Sequence, residues 1–158
     1  MQDDQLSGKK IILGVTGGIA AYKACWLTRE LVKRGAEVKV VMTPSAIQFV
    51  QPLTFSSLSK NEVVVNIFPE SQENGSSLKT WHIDLALWAD LMIIAPCTIN
   101  TIGKIAAGFC DNALLTVVSA LRSPLLIAPA ADLDMYNNKV TQRNFKILEE
   151  MGCFFVNA

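Results

Sequence analysis

The chain has 158 residues, 51% hydrophobic and 18% charged, which suffices for one well-filled core and little else. Lys plus Arg and Asp plus Glu balance at 14 each, so no electrostatic footprint argues for a nucleic acid or an anionic membrane, and small-molecule chemistry gains by comparison. The apolar runs are short and broken by charges and the opening MQDDQLSGKK lacks a secretory stretch, so the chain is expected in the cytoplasm.

Residues 1–8 read as an N-terminal extension and 9–158 as one domain. Short Val/Ile/Leu-rich runs then alternate with helical patterns, which predicts β-α-β units and a parallel sheet buried on both faces. Strands are expected near 10–16, 37–42, 91–95, 125–128 and 153–156, and helices near 18–34, 45–50, 81–89, 99–107, 112–121 and 139–151. Right-handed crossovers give an α/β fold, a three-layer α/β/α sandwich with a Rossmann-like sheet, whose ligand loops lie at the carboxyl ends of the strands. The polar, turn-rich segment 69–80 (PESQENGSSLKT) reads as a mobile loop.

The first strand exit, GVTGGIAAYKA, has Gly17 and Gly18 where the backbone can turn sharply and present free amides to a phosphate, or simply turn. It lacks both the G-x-G-x-x-G and the G-x-x-x-x-G-K-[ST] spacing, so neither a dinucleotide nor a P-loop nucleotide is supported. Thr43, in MTPSAIQFV, is a hydroxyl for a phosphate or ribityl chain, or a helix entry. His82, in KTWHIDLALWAD, starts a helix whose Ile83, Leu87 and Trp88 are expected to face the sheet; it reads first as a hydrogen-bonded residue at a helix start and otherwise, as the chain's one histidine, as the one imidazole available for proton transfer. Trp81 beside it reads as a core or interface anchor. In IIAPCTINTIGKIAAGFCDNALLT, Thr98, Asn100 and Thr101 either hydrogen-bond a polar heterocycle or cap the helix, and Asp111 and Asn112 read as caps in the same way. Cys25, Cys97, Cys110 and Cys153 form no C-x-x-C pair and read as free thiols, with too few histidines for an ordinary zinc site. The segment PAADLDMYNN, 129–138, follows the fourth predicted strand and carries polar groups for a small molecule.

Taken together, GVTGGIAAYK, TPSAIQFV, HIDLALWAD, APCTINTIGKIA, GFCDNALLT and PAADLDMY resemble, in order and approximate spacing, the homo-oligomeric flavin-containing cysteine decarboxylases, from about residue 9 onward. The resemblance implies FMN as cofactor and a trimer or dodecamer as assembly. It points most closely to the branch acting on phosphopantothenoylcysteine, converting 4′-phosphopantothenoylcysteine to 4′-phosphopantetheine in coenzyme A biosynthesis. Gly17, Gly18 and Ile19 match the loop that holds the FMN phosphate, and Thr43 the hydroxyl after the second strand. Thr98, Ile99, Asn100 and Thr101 match the loop at the flavin, with Cys97 and Ile99 replacing smaller residues. His82 matches the active-site histidine, Ala130 a flavin-facing position, and Asp132 and Met135 the substrate-contacting positions. In the family, flavin oxidises the thiol carbon so that the product of carbon dioxide loss is stabilised by conjugation, and the electrons are then returned.

Two departures stand out. Asp132 replaces the usual Asn, giving up an amide donor while keeping an acceptor, and Ala131 replaces a Met. With the chain ending at Ala158, the family's C-terminal substrate segment, which carries a proton-donating cysteine, is expected to be absent, Cys153 inside the last predicted strand is a poor substitute, and FMN binding without completed turnover is the expectation. A peptidyl-cysteine decarboxylase, another flavoprotein of the same fold such as a flavin prenyltransferase, and a non-catalytic FMN-binding partner protein stand as alternatives.

Overall fold

Five aliphatic runs form strands in the computed structural model, which describes residues 5–68 and 80–156. They are Lys10–Val15 (β1), Glu37–Met42 (β2), Leu91–Cys97 (β3), Leu125–Pro129 (β4) and Phe154–Phe155 (β5). All pair in parallel, in the order β2-β1-β3-β4-β5. Parallel neighbours need crossovers, and helices supply them. The helices are Ala21–Lys33 (α1), Pro52–Ser59 (α2), Trp81–Trp88 (α3), Ile99–Ala106 (α4), Ala113–Ala120 (α5), Leu133–Asn137 (α6) and Lys139–Glu150 (α7). The three-layer α/β/α sandwich expected from the sequence is the fold observed.

Alternation along each strand splits the core in two. Ile11, Leu13, Val15, Val38, Val40 and Met42 face α1 and α2, where Phe55 fills the gap. Ile12, Val41, Met92, Ile94 and Ile127 face α5 and α7, against Leu114, Leu115, Phe145 and Leu148. Gly14 lies on that second face, where an added Cβ would sit 2.9 Å from the Leu114 side chain, so the glycine lets α5 approach β1 closely. Leu6, just before β1, packs on the first core, and its amide donates to the Arg34 carbonyl.

The structure corrects the sequence reading in four places. The helix expected at 45–50 is a single 3-10 turn, Ala46–Gln48. Helix α2 was not expected: its serines disfavour helix, but Pro52 starts it and the burial of Phe55 holds it. Helix α6 also arises in the segment after the fourth strand, where the sequence pattern predicts no helix. In α3, Ile83 and Leu87 point outward, while Leu85, Ala86 and Ala89 are buried. The reason is Trp81, whose Nε1 donates to the Ile67 carbonyl at 2.8 Å and which packs on the core. Trp81, Leu85 and Ala89 then form the inward stripe at four-residue spacing, with Trp88 half-buried beside them. The loop expected at 69–80 falls outside the described residues except for Thr80.

Candidate functional site at the strand exits

The order β2-β1-β3-β4-β5 reverses between β1 and β3, and a parallel sheet opens a crevice where its crossovers leave to opposite faces. Here β1 leads into α1 on one face and β3 into α4 on the other. Fully buried Thr16 spans the gap. Its hydroxyl donates to the Pro96 carbonyl at 2.6 Å and accepts from the Thr98 amide at 3.0 Å, and its own amide donates to Pro96 at 3.3 Å. A further bond, from the Ala130 amide to the Cys97 carbonyl at 3.0 Å, ties in the end of β4. The exits of β1, β3 and β4 are thus held as one rigid rim.

On this rim the glycine loop turns tightly, with the Gly18 amide donating to Thr16 at 3.0 Å and Ala21 to Gly18 at 2.9 Å. Among the described residues, the amides of Gly17, Ile19 and Ala20 donate to no protein group. A Cβ on Gly17 would fall 2.4 Å from Ser45 Oγ and 2.9 Å from the Ser45 carbonyl carbon, so only glycine lets the loops after β1 and β2 touch. A Cβ on Gly18 would meet only the Thr98 methyl, at 3.6 Å. Thr43 is buried, and its hydroxyl pairs with that of Ser45 at 3.1 Å. Unpaired amides beside two hydroxyls, at the entry to a helix, form a cradle suited to an anion. Ile19 lies beside it with its side chain in the open.

The loop after β3 combines two tasks. Thr98 caps α4, its hydroxyl accepting from the Thr101 amide at 3.2 Å and donating to the Thr101 hydroxyl at 3.2 Å. Buried Thr101 therefore serves the cap, whereas half-buried Ile99 and exposed Asn100 turn toward a groove. Asn112 caps α5 through Leu115, and Asp111 pairs with Lys104.

The segment after β4 crosses the top of the sheet between two openings. Ala130 borders a cavity of 390 Å³ with Pro96, Lys23 and Trp26. Met135 borders a groove of 540 Å³ between α4, α6 and α7, which Ile99 and Asn100 also line. Asp132 is the cap of α6, one carboxylate oxygen accepting from the Met135 amide at 2.9 Å. Capping requires an acceptor only, so the loss of an amide donor at this position leaves the helix start intact.

His82 stands in the first turn of α3, half-buried, with its ring edge-on to Trp81 at 5.6 Å. Because α3 leads directly into β3, its start points toward the carboxyl end of the sheet. Among the described residues, however, no hydrogen bond joins His82 to the rim. The cysteines are free; burial pushes the Cys97 thiol far above its usual range and raises Cys25 and Cys153, while Cys110 is exposed. No group of His, Cys, Asp and Glu capable of holding a metal occurs among the described residues, and none of their helices is long and apolar enough to cross a membrane.

The sequence reading missed Thr16 and Ser45. Thr16 carried a usable signal, a polar residue closing a buried parallel strand just before a glycine pair. Ser45 carried none, because its importance lies in its contacts with Gly17 and the Thr43 hydroxyl, which only the folded chain brings together.

The chain matches the family described as Flavoprotein over residues 1–158. It is 48% identical over 151 residues to the coenzyme A biosynthesis bifunctional protein CoaBC of Bacillus subtilis, covering 96% of this chain and 36% of that protein. The chain thus spans about a third of the length of the CoaBC proteins it matches. A Streptococcus mutans protein described as a probable phosphopantothenoylcysteine decarboxylase is 44% identical, with 91% of this chain and 79% of that one covered. The solved structure of the FMN binding protein AtHal3 overlays with a TM-score of 0.78 at 34% identity, covering 94% of this chain and 80% of that one.

Proposed function

We propose, from the premise that this chain belongs to the flavoprotein family, that it binds FMN and decarboxylates 4′-phosphopantothenoylcysteine to 4′-phosphopantetheine in coenzyme A biosynthesis. The observation that carries the reading is the amide cradle of Gly17, Ile19 and Ala20, packed against Ser45 at the switch point of the sheet. Its residues fit the group: glycine at position 17 lets the loop pack directly against Ser45, and unpaired amides at a helix entry favour a phosphate. In this reading Gly17, Gly18 and Ile19 hold the phosphate, and Thr43 supports that loop through Ser45. Thr98, Ile99, Asn100 and Ala130 border the flavin ring, and Thr101 holds Thr98 in place from beneath.

FMN, when bound, supplies two-electron oxidation of the cysteine thiol carbon and returns the electrons, so that carbon dioxide leaves without net redox change. The chain's own residues orient the substrate and manage its protons. His82 moves a proton to or from the substrate or fixes its pose, and Met135 and Asp132 contact the substrate at the groove mouth. Exposed Ile19, Tyr22 and Trp26, three large apolar groups near one end of α1, support assembly with further copies as a trimer or dodecamer, and a cytoplasmic site accords with the substrate.

Purified protein tests both halves of the reading. It should take up FMN, seen by the flavin absorption bands, and should release carbon dioxide from phosphopantothenoylcysteine but not from a peptide ending in cysteine. His82→Asn should keep the flavin and slow carbon dioxide release by roughly 100-fold or more. A chain that stays colourless with FMN, or a His82→Asn variant as active as its parent, refutes the corresponding half.

A further inference from the structure

We infer that Thr141 and Asn144, on the side of α7 that faces α4, bind the uncharged amide arm of the substrate. This assignment rests on the decarboxylase reading above and extends it to residues to which no family motif points. Thr141 is 3% exposed and Asn144 8% exposed, and neither side chain has a hydrogen-bond partner among the described residues. Spaced three apart on one helix, they share a face, and both line the 540 Å³ groove. Among the described residues, the one fully occluded side-chain polar atom without a partner is Ser123 Oγ, so the Thr141 hydroxyl and the Asn144 amide reach the groove space. Polar groups this deep in a protein are normally paired, and two left open side by side in one groove point to a ligand.

The chemistry of the walls selects the ligand. Ile99, Phe109, Met135 and Val140 offer apolar sides. Among the described residues Lys104 is the one ionisable group in the lining, and its ammonium is already paired with Asp111. A phosphate or carboxylate would find no free cation there, whereas a linear chain carrying amides and hydroxyls matches a hydroxyl and a carboxamide, each of which donates and accepts. Gly103 lies beside the pair, a Cβ built on it resting in ordinary contact with Asn144 Nδ2 at 3.5 Å. The groove also runs past Met135 and Asn100, so an arm lying in it leads to the rim where the thiol end reacts.

The test uses the whole chain loaded with FMN and calorimetric titration with two probes. Pantetheine carries the complete arm; N-acetylcysteamine carries the thiol end alone. The parent should bind pantetheine more tightly than N-acetylcysteamine. Thr141→Val and Asn144→Leu should each weaken pantetheine by about tenfold, the effect of one lost hydrogen bond with its partner stranded, while leaving N-acetylcysteamine and FMN unchanged. Thr141→Val nearly preserves shape and so carries the test alone if Asn144→Leu does not fold. Pantetheine affinity within about twofold of the parent in the folded variants overturns the assignment, as does a change in sedimentation mass without a change in pantetheine affinity, which would make the pair a subunit contact. A parent that takes up FMN but binds the two probes alike removes the arm from this groove and leaves the flavoprotein reading standing. A parent that takes up no FMN removes both.

Discussion

Replacing Thr16 by Val removes one oxygen from a site of zero exposure while keeping the side chain's shape. Two bonds go with it, to the Pro96 carbonyl at 2.6 Å and from the Thr98 amide at 3.0 Å. The Pro96 carbonyl retains the Thr16 amide as a donor, so its loss is one ordinary hydrogen bond, about 1 kcal/mol. The Thr98 amide loses its one partner and stays in a half-buried loop, which adds about 1–3 kcal/mol. The sum, about 2–4 kcal/mol, corresponds to a drop in Tm of roughly 4–16 °C for a domain of this size. Urea unfolding of the parent, Thr16→Val and Thr16→Ser measures it, with an unchanged m-value showing that the unfolded state is unaltered. Serine restores the hydroxyl and should recover most of the stability and the FMN affinity. If Val lies within about 0.5 kcal/mol of the parent and Ser is the weaker of the two, packing of the methyl groups holds the rim, and the hydrogen-bond account fails.

Further expectations follow from contacts at the same rim. Gly17→Ala should weaken FMN by roughly tenfold or more because its Cβ strikes Ser45, whereas Gly18→Ala, with open space toward Thr98, should stay within about twofold; equal effects in fluorescence titration would show that loop contact is not what matters. Asp132→Ala should cost about 1 kcal/mol through loss of the α6 cap, and Asp132→Asn almost nothing, as read by thermal unfolding. Alkylation of the native protein should modify exposed Cys110 first and reach Cys97 only on unfolding, which mass mapping reports. Because burial raises the Cys97 pKa, above about pH 8.5 the unfolded chain releases a proton that the folded one keeps, so this thiol's contribution to stability falls by up to about 1.4 kcal/mol per pH unit. The stability difference between the parent and Cys97→Ala should therefore shrink from about pH 8 to about pH 10, and a constant difference contradicts the burial argument.

The strands were legible because a sheet covered on both faces demands continuous apolar runs, and KIILGV, EVKVVM and LMIIA offer little else. Helices with a clear apolar stripe, such as α1 and α7, were legible for the same reason. Those set by tertiary contacts were not. Helix α2 depends on Phe55 reaching the core past poor helix formers, and the rotation of α3 depends on an indole bond to Ile67, in a segment remote from it in sequence. Periodicity could not choose between the stripe of Ile83 and Leu87 and that of Trp81, Leu85 and Ala89, since both repeat at helical spacing. At the site, glycines and caps could be read from residue type. What each hydroxyl bonds to could not: Thr43, Thr98 and Thr101 look alike in sequence, yet one pairs with Ser45 and the other two pair with each other.

Position 132 shows how the local and the functional demands divide one side chain. The start of α6 needs an oxygen to receive the Met135 amide, and either Asn or Asp supplies it. With one oxygen so engaged, Asn would turn its remaining group outward as a donor, whereas Asp presents a second acceptor carrying charge. The fold is therefore indifferent to this exchange, whereas a substrate that contacts position 132, as proposed, is not. In the proposed reading, a substrate group that faces Asp132 meets acceptors and no amide donor, so the group facing it donates. The groove of Thr141 and Asn144, whose lining lysine Lys104 is paired with Asp111, begins beside Met135, in the next turn of the chain, and an amide N–H entering it would supply such a donor. Asp132→Asn, neutral for folding, is on this argument a change in ligand preference alone.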